Sequence, residues 1–373
     1  LPTAPASNAV MHNYRNLVAS TLVAAVLTLT AGAAAVTVRA QQQSASVAAA
    51  SPAATGETER GIALYKQGRV KEAVVALRAV VKQTPDDAAA WYYLGQSLFS
   101  DGEQKDAAKA YEKAVKLRPE NVVYRTGRAF ALLLMGKVPD AQNEAQAALK
   151  LDAQNPAAHY VSGLASLASS AYDKALSEAD AVIKLDPKFA DAHLLKGDAL
   201  ISSFGQKYAS GKKPVPAATN AALYPMLDEA AQSIETYLRM TPNEPEAELR
   251  RAQVAALRVF TGTRTAAADP AARPVYREEE TDTPARITDY ALPRGVERVA
   301  SSGRVMMLAT LDADGTVKNV VVLRASHPGL VRPYQEAMQR MKFVPAQKGG
   351  RPVSQIKLMD LTFGMHVELL RIS

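Results

Sequence analysis

The chain has no cysteine, which excludes a disulfide scaffold, a thiol nucleophile and thiolate-ligated metal. Histidine is nearly as scarce, with five residues scattered over 373, so an imidazole cluster for metal or for acid–base work is not expected. Aromatic residues supply only 6% of a chain that is 48% hydrophobic. Apolar content carried by alanine and aliphatic side chains favours close-packed helices over a sandwich or barrel. Also missing are a P-loop, a G-x-S-x-G elbow, an H-E-x-x-H helix and a G-x-G-x-x-G turn. No enzymatic activity, cofactor or metal is expected. Pairing His327 with Asp312 as acid and base has nothing to orient it. The net charge of +7 permits an anionic partner, but the basic residues are spread along the chain, so nucleic acid is not expected.

The first forty residues read as targeting rather than fold. Arg15 precedes an uncharged apolar run from Asn16 to Val38, closed by Arg39 and Ala40. That order suits a secretory signal cleaved after Ala40. The same run over residues 17–38 is long enough to serve as an uncleaved inner-membrane anchor. Either way the body is expected outside the cytoplasm, periplasmic or secreted. Residues 41–55, rich in Gln, Ser and Ala, read as a disordered tether.

Residues 56–260 repeat. Prolines that close helical blocks stand at Pro85, Pro119, Pro156, Pro187 and Pro242, a spacing near that of helical repeat arrays. The block from Ala88 to Asn121 carries Trp91, Leu94, Gly95, Leu98, Ala107, Tyr111, Ala114 and Pro119. Gly95 and Ala107 fall where two antiparallel helices approach most closely. Leu94, Tyr111 and Ala114 recur at helical spacing on packed faces. Phe204–Leu223 contains GKKPVPAATN and reads as a loop-like insertion. The Ala88–Asn121 pattern resembles the tetratricopeptide repeat. The resemblance implies an array of helix pairs whose first helices line a groove, and projects Tyr65, Tyr92, Gln96, Phe99, Tyr124, Arg128 and Tyr160 onto that lining. Such a row suits an extended peptide or protein segment. His159 and His193 are expected to be packing residues.

Residues 261–284 change composition to Pro, Thr and Ala, with the run Glu278-Glu279-Glu280, and read as a linker with a solvated acidic face. The remainder, 285–373, reads as a small α/β unit. Gly303–Leu311 and Thr316–Arg324 form a hairpin across Asp312-Ala313-Asp314-Gly315. The turn has the opening of a calcium loop without its later ligands. Leu330, Tyr334, Ala337, Met338 and Met341 share a helix face, and Arg351–Phe363 forms a long last strand. In order, Leu292-Pro293, Gly303-Arg304-Val305, Asp314-Gly315, Ser326-His327-Pro328-Gly329, Phe343-Val344-Pro345-Ala346 and Gly350-Arg351-Pro352-Val353 resemble the C-terminal domain of TonB-like energy transducers.

The expected fold is therefore multidomain: an all-α tetratricopeptide-type solenoid followed by a small α/β domain of antiparallel sheet plus helix, TonB-C-like. The resemblance implies docking of an outer-membrane receptor or other envelope protein by strand pairing, and a homodimer stays open because an edge strand can pair with itself. An extracytoplasmic interaction scaffold is the first functional reading. A TonB-type transducer coupling an inner-membrane motor to outer-membrane receptors is the second. Its relatives carry a membrane-helix histidine, whereas here His12 lies before the apolar run.

Overall fold

The computed structural model describes residues 52–210, 217–244, 247–262, 274–289, 302–325 and 328–364, with Pro293 and Val296. The expected export segment, His327 and His366 lie outside them. Among the described residues no helix is long and apolar enough to cross a membrane. The chain forms two compact units.

The first unit holds residues 52–169 and Ser177–Pro187. It consists of α1 (Pro52–Lys66), α2 (Val70–Gln83), α3 (Ala88–Ser100), α4 (Gln104–Leu117), α5 (Val122–Leu134), α6 (Val138–Leu151), α7 (Pro156–Ala168) and most of α8 (Tyr172–Leu185). Its positions recur every 34 residues. Asp87, Asn121 and Asn155 each cap a helix, their side chains accepting from the backbone N–H of Ala90, Tyr124 and Ala158 at 2.9, 3.1 and 3.0 Å. Such caps satisfy amides that the first helical turn leaves open. Four residues later, three different side chains do one job. Trp91 Nε1 donates to the Pro85 carbonyl at 2.8 Å and Arg125 Nε to that of Pro119 at 2.6 Å, while His159 Nε2 lies 3.0 Å from that of Ala153. The turns inside each pair use the left-handed region at Gly68, Gly102 and Gly136, with φ of 75°, 86° and 80°, and then at Ser170, with φ of 62°. Only the last carries the steric cost of a side chain there.

The regular period corrects one reading. Pro156 does not close a block: it is the first residue of α7, behind its Asn155 cap. Ala153 holds the position of Pro85 and Pro119. Proline fits the first helical turn because its missing N–H would be unpaired there anyway.

Packing inside the pairs follows the small residues. A Cβ on Gly61 would lie 2.6 Å from Leu77 Cδ2, and one on Gly95 would lie 2.8 Å from Tyr111 Cδ1. Leu94, Ala107, Tyr111 and Ala114 are all buried.

The second unit holds Ser170–Leu176 and the described chain from Lys188 onward. Its helices are α9 (Ala190–Ser210), α10 (Ala217–Met240), α11 (Ala247–Thr261) and α12 (Val331–Gln339), and its strands β1 (Val275–Tyr276), β2 (Arg286–Asp289), β3 (Ser302–Leu311), β4 (Val317–Ala325), β5 (Lys342–Val344), β6 (Ala346–Lys348) and β7 (Arg351–Gly364). Of the segment 204–223, residues up to Ser210 belong to α9 and those from Ala217 to α10, and the stretch between them lies outside the described residues. Phe204 and Tyr208 hold the extension in place, both buried and with their rings stacked 5.8 Å apart.

The sheet runs β1-β7-β3-β4, with β6 also on β7, and β2 and β5 form a separate ribbon. β3 is antiparallel to both neighbours; β1 is parallel to β7. Both sheet faces are covered. On one, Val305, Met307, Met359 and Leu361 pack against Leu330, Tyr334, Met338 and Phe343. On the other, Met306, Leu308, Val321, Leu323, Ile356 and Leu358 share a core with Phe204, Leu227, Leu257 and Phe260 of α9–α11. The last long helices and the sheet share one core and fall in one compact unit. The described part of 261–284 is not a free tether. β1 pairs with Ser354 and Gln355, Thr283 bridges Gln347, and Glu278 accepts from Lys357 Nζ at 2.6 Å.

Charged bonds pin the helices of this unit. Arg250 Nη1 and Nη2 reach Asp198 at 2.8 and 3.3 Å, joining α11 to α9. Arg258 joins α11 to α10 through Asp228 and Glu235. Arg250 is only 5% exposed, so removing Asp198 would take a two-pronged bond from a buried guanidinium.

Candidate functional site

Two surfaces carry the residues that the sequence singles out. The first lies on α1, α3 and α5. Tyr92 stacks on Tyr124 with ring centroids 4.9 Å apart, and lies 5.3 Å from Tyr93 and 5.7 Å from Tyr111. Tyr65 meets Tyr93 edge-on at 6.2 Å. Gln96 joins the cluster from within: its Nε2 donates to the Tyr92 hydroxyl at 2.5 Å, and its Oε1 accepts from the Tyr65 hydroxyl at 3.5 Å. A Cβ on Gly127 would meet Tyr111 at 3.0 Å and Tyr92 at 3.2 Å, so the bare backbone of α5 makes room for both rings.

Burial raises every phenol in the group. Tyr124 is pushed up to about 12 by burial and then by the charge of Asp87, and Tyr92 goes higher through burial and its tyrosine neighbours. All remain neutral across ordinary pH; Tyr65 and Tyr111 are buried, and what the half-buried Tyr92, Tyr93 and Tyr124 present is ring and hydroxyl rather than charge. Phe99 packs against the same apolar core, with its ring 5.8 Å from that of Phe130. Arg128 is held by Glu144 at 2.5 Å, which also takes Arg125 at 3.0 Å. Tyr160 is buried in α7. The structure thus brings Tyr65, Tyr92, Gln96 and Tyr124 together, while Phe99 packs on the same core and pairs its ring with Phe130, and Arg128 pairs with Glu144.

Trp91 is half-exposed, packed by one edge and bonded to Pro85, while Pro119 is exposed in its turn. His159 is a packing residue with both ring nitrogens engaged: Nδ1 lies 2.6 Å from Glu178 Oε2, and Ser162 donates to the other oxygen of that carboxylate at 2.8 Å. The sequence pattern missed this polar lock, although Ser162 and Glu178 stand at helix-facing positions.

The second surface is the rim of the sheet. Along one side of β7, β3 pairs continuously from Gln355 to Gly364. Along its other side, β6 covers Arg351–Val353 and β1 covers Ser354–Gln355. Past Gln355, among the described residues, no strand pairs with that side of β7. The opposite rim, β4, also lacks an outer neighbour among the described residues, but it is irregular. Its register with β3 shifts twice, and Asn319 takes a φ of 50°. Bulges of this kind blunt an edge against pairing, whereas a straight run of free amides and carbonyls invites it.

No cation fits the 312–315 turn. Lys318 Nζ sits between Asp312 at 2.7 Å and Asp314 at 3.0 Å. Bonds from Thr316 and Lys318 hold the Asp314 carboxyl down at about 2. Among the described residues no group of three or more acidic or histidine side chains is placed to hold a metal ion.

Family comparison agrees with this architecture. The tetratricopeptide repeat matches residues 58–122 and 127–188, and the Gram-negative bacterial TonB protein C-terminal family matches residues 290–365. Solved structures similar to part of the chain include MamA from Desulfovibrio magneticus RS-1, 17% identical with a TM-score of 0.41, covering 53% of this chain and 99% of that one. A thermophilic repeat protein of Thermus thermophilus is 18% identical with a TM-score of 0.42, covering 54% of this chain and 98% of its own. PilW, a type IV pilus biogenesis factor, is 13% identical with a TM-score of 0.46, covering 56% and 87%. No curated protein matches the chain. Both matched domain types are non-catalytic modules that mediate protein–protein contacts, and domains of the second type are typically periplasmic. The chain carries an N-terminal tetratricopeptide repeat region and a C-terminal domain of the TonB C-terminal type.

Proposed function

We propose that this protein joins two partners in the bacterial cell envelope, the repeats holding a peptide or protein segment and the C-terminal domain docking an envelope protein by adding a strand to its sheet. The observation that carries the reading is the straight rim of β7 beyond Gln355, unpaired among the described residues, in a domain matched to the TonB C-terminal family. Main-chain bonds along such a rim supply affinity, and the alternating side chains of the incoming strand supply selectivity.

Two forms of this function differ in what the N-terminal segment does. In one, the protein is an exported scaffold that binds and positions its partners. In the other, residues 17–38 anchor it beside an inner-membrane motor, and the docking edge passes force to an outer-membrane receptor. The TonB family match backs the transducing form better than the scaffold. The mature N-terminus and membrane co-purification decide between them. An intact anchor that recovers motor subunits supports transduction, and cleavage after Ala40 overturns it. For the repeats, Tyr92→Ala combined with Tyr124→Ala is expected to reduce partner capture while helix content stays unchanged. Undiminished capture removes the aromatic cluster from the binding surface.

A further inference from the structure

We propose that the second unit binds a single oxyanion group, a carboxylate or phosphate, in the cleft between α9 and the strands β3 and β4. The cleft is a cavity of about 100 Å³ lined by Gly205, Arg304, Met306 and Arg324. That volume admits one small polar group and falls well short of a drug-sized ligand. Gly205 keeps it open. A Cβ there would lie 3.0 Å from Met306 Cε and 3.2 Å from its sulfur.

The charges of the lining do not balance. Arg304 bonds Asp360 through Nε at 2.6 Å and again through Nη2, and Asp360 is 2% exposed. That carboxylate answers one guanidinium. The second, Arg324, lies over the Tyr172 ring with Cζ 5.0 Å from its centroid, and no carboxylate among the described residues pairs with it. Asp173, beside Tyr172, faces Lys207 at 3.9 Å. A half-buried cation resting on a ring face, with no carboxylate partner among the described residues, keeps most of its desolvation cost. A guanidinium fixed by ring stacking presents its planar fork ready for two oxygens. One negative charge placed between Arg304 and Arg324 would offset the excess.

The test uses the full chain. Thermal unfolding is followed by circular dichroism during titration with sodium malonate, sodium phosphate or a short glutamate-rich peptide, against sodium chloride at equal ionic strength. A saturable rise in Tm with an oxyanion and not with chloride is expected. It should be about tenfold weaker in Arg324→Gln, as loss of a charged hydrogen bond implies, and partly restored in Arg324→Lys. Response to malonate or phosphate identifies a free small anion as the ligand. Response to the peptide alone identifies an acidic side chain of a protein partner. No saturable rise beyond chloride, or an equal rise in Arg324→Gln, overturns the proposal. Arg304 is left intact in every variant because it pairs with the buried Asp360.

Discussion

The two units bury their apolar surface by different means. In the first, helices of 13 to 15 residues repeat one geometry, and the contacts are local: Leu77 on Gly61, Tyr111 on Gly95. Each pair leans on the next, so stability is close to a sum of neighbouring interfaces. In the second, α9 and α10 lengthen to 21 and 24 residues, and the added turns meet a sheet whose strands come from much further along the chain. There Phe204, Leu257, Met306 and Leu358 belong to one core. A repeat region tolerates local damage, whereas a composite body should lose helices and sheet together.

That contrast can be broken by mutation, beginning with the strongest. Phe204→Ala removes a fully buried ring shared by three helices and the sheet, and should cost roughly 3–5 kcal/mol. Denaturant unfolding should show the helical and strand signals of the second unit falling at one midpoint. Separate midpoints would show that α9–α11 belong energetically with the repeats.

Titration offers a second handle. Burial and the nearby Glu244 carboxylate push Asp191 up to about 7, from an ordinary 3.8. The folded state therefore holds this proton more tightly than the unfolded chain does. Its contribution is fully present below about pH 4 and is lost as the pH rises toward about 7, at most about 4 kcal/mol in all. Asp191→Asn should flatten that slope. Glu72, Asp106 and Glu112 of the first unit are shifted downward by their Arg and Lys neighbours, so no loss on raising the pH is expected there. A Tm that is flat between pH 4 and 7 in the wild type removes the distinction.

Smaller effects belong to the first unit. Gly95→Val drives a side chain into the Tyr111 ring, and overpacking of this kind costs about 1–3 kcal/mol. Asn155→Ala removes a helix cap, worth about 1 kcal/mol. Both should lower the stability of the first unit and leave the second unchanged, as hydrogen exchange would report residue by residue.

Much of this architecture is written in the residues, though unevenly. Gly95, Ala107, Tyr111 and Ala114 announce a helix pair because close approach and helical spacing leave few alternatives. Pro156 misleads because proline suits both the residue after a helix and the first turn of one; Asn155 before it is the discriminating signal. GKKPVPAATN reads as loop from its glycine and prolines, while the aromatic pair Phe204 and Tyr208 ahead of it marks a buried helical face. The two-sided burial of the sheet was not read from the sequence, although it has a local signal. Val305–Leu308 is an unbroken apolar run, whereas a strand with one wet face would alternate. What no local pattern encodes is which helices cover that second face, since this depends on contacts far apart in sequence. In the first site, the spacing of Tyr65, Tyr92 and Tyr124 places them on adjoining helices, but not the internal bonding through Gln96.

The single tryptophan of the chain has a practical consequence. Trp91 donates to the Pro85 carbonyl inside the first unit, so its emission reports on that unit alone. Fluorescence and far-ultraviolet dichroism recorded on one sample would therefore act as two clocks, one set by the repeats and one by the whole chain. Any lag between them measures the independence of the two bodies without a label or a truncation.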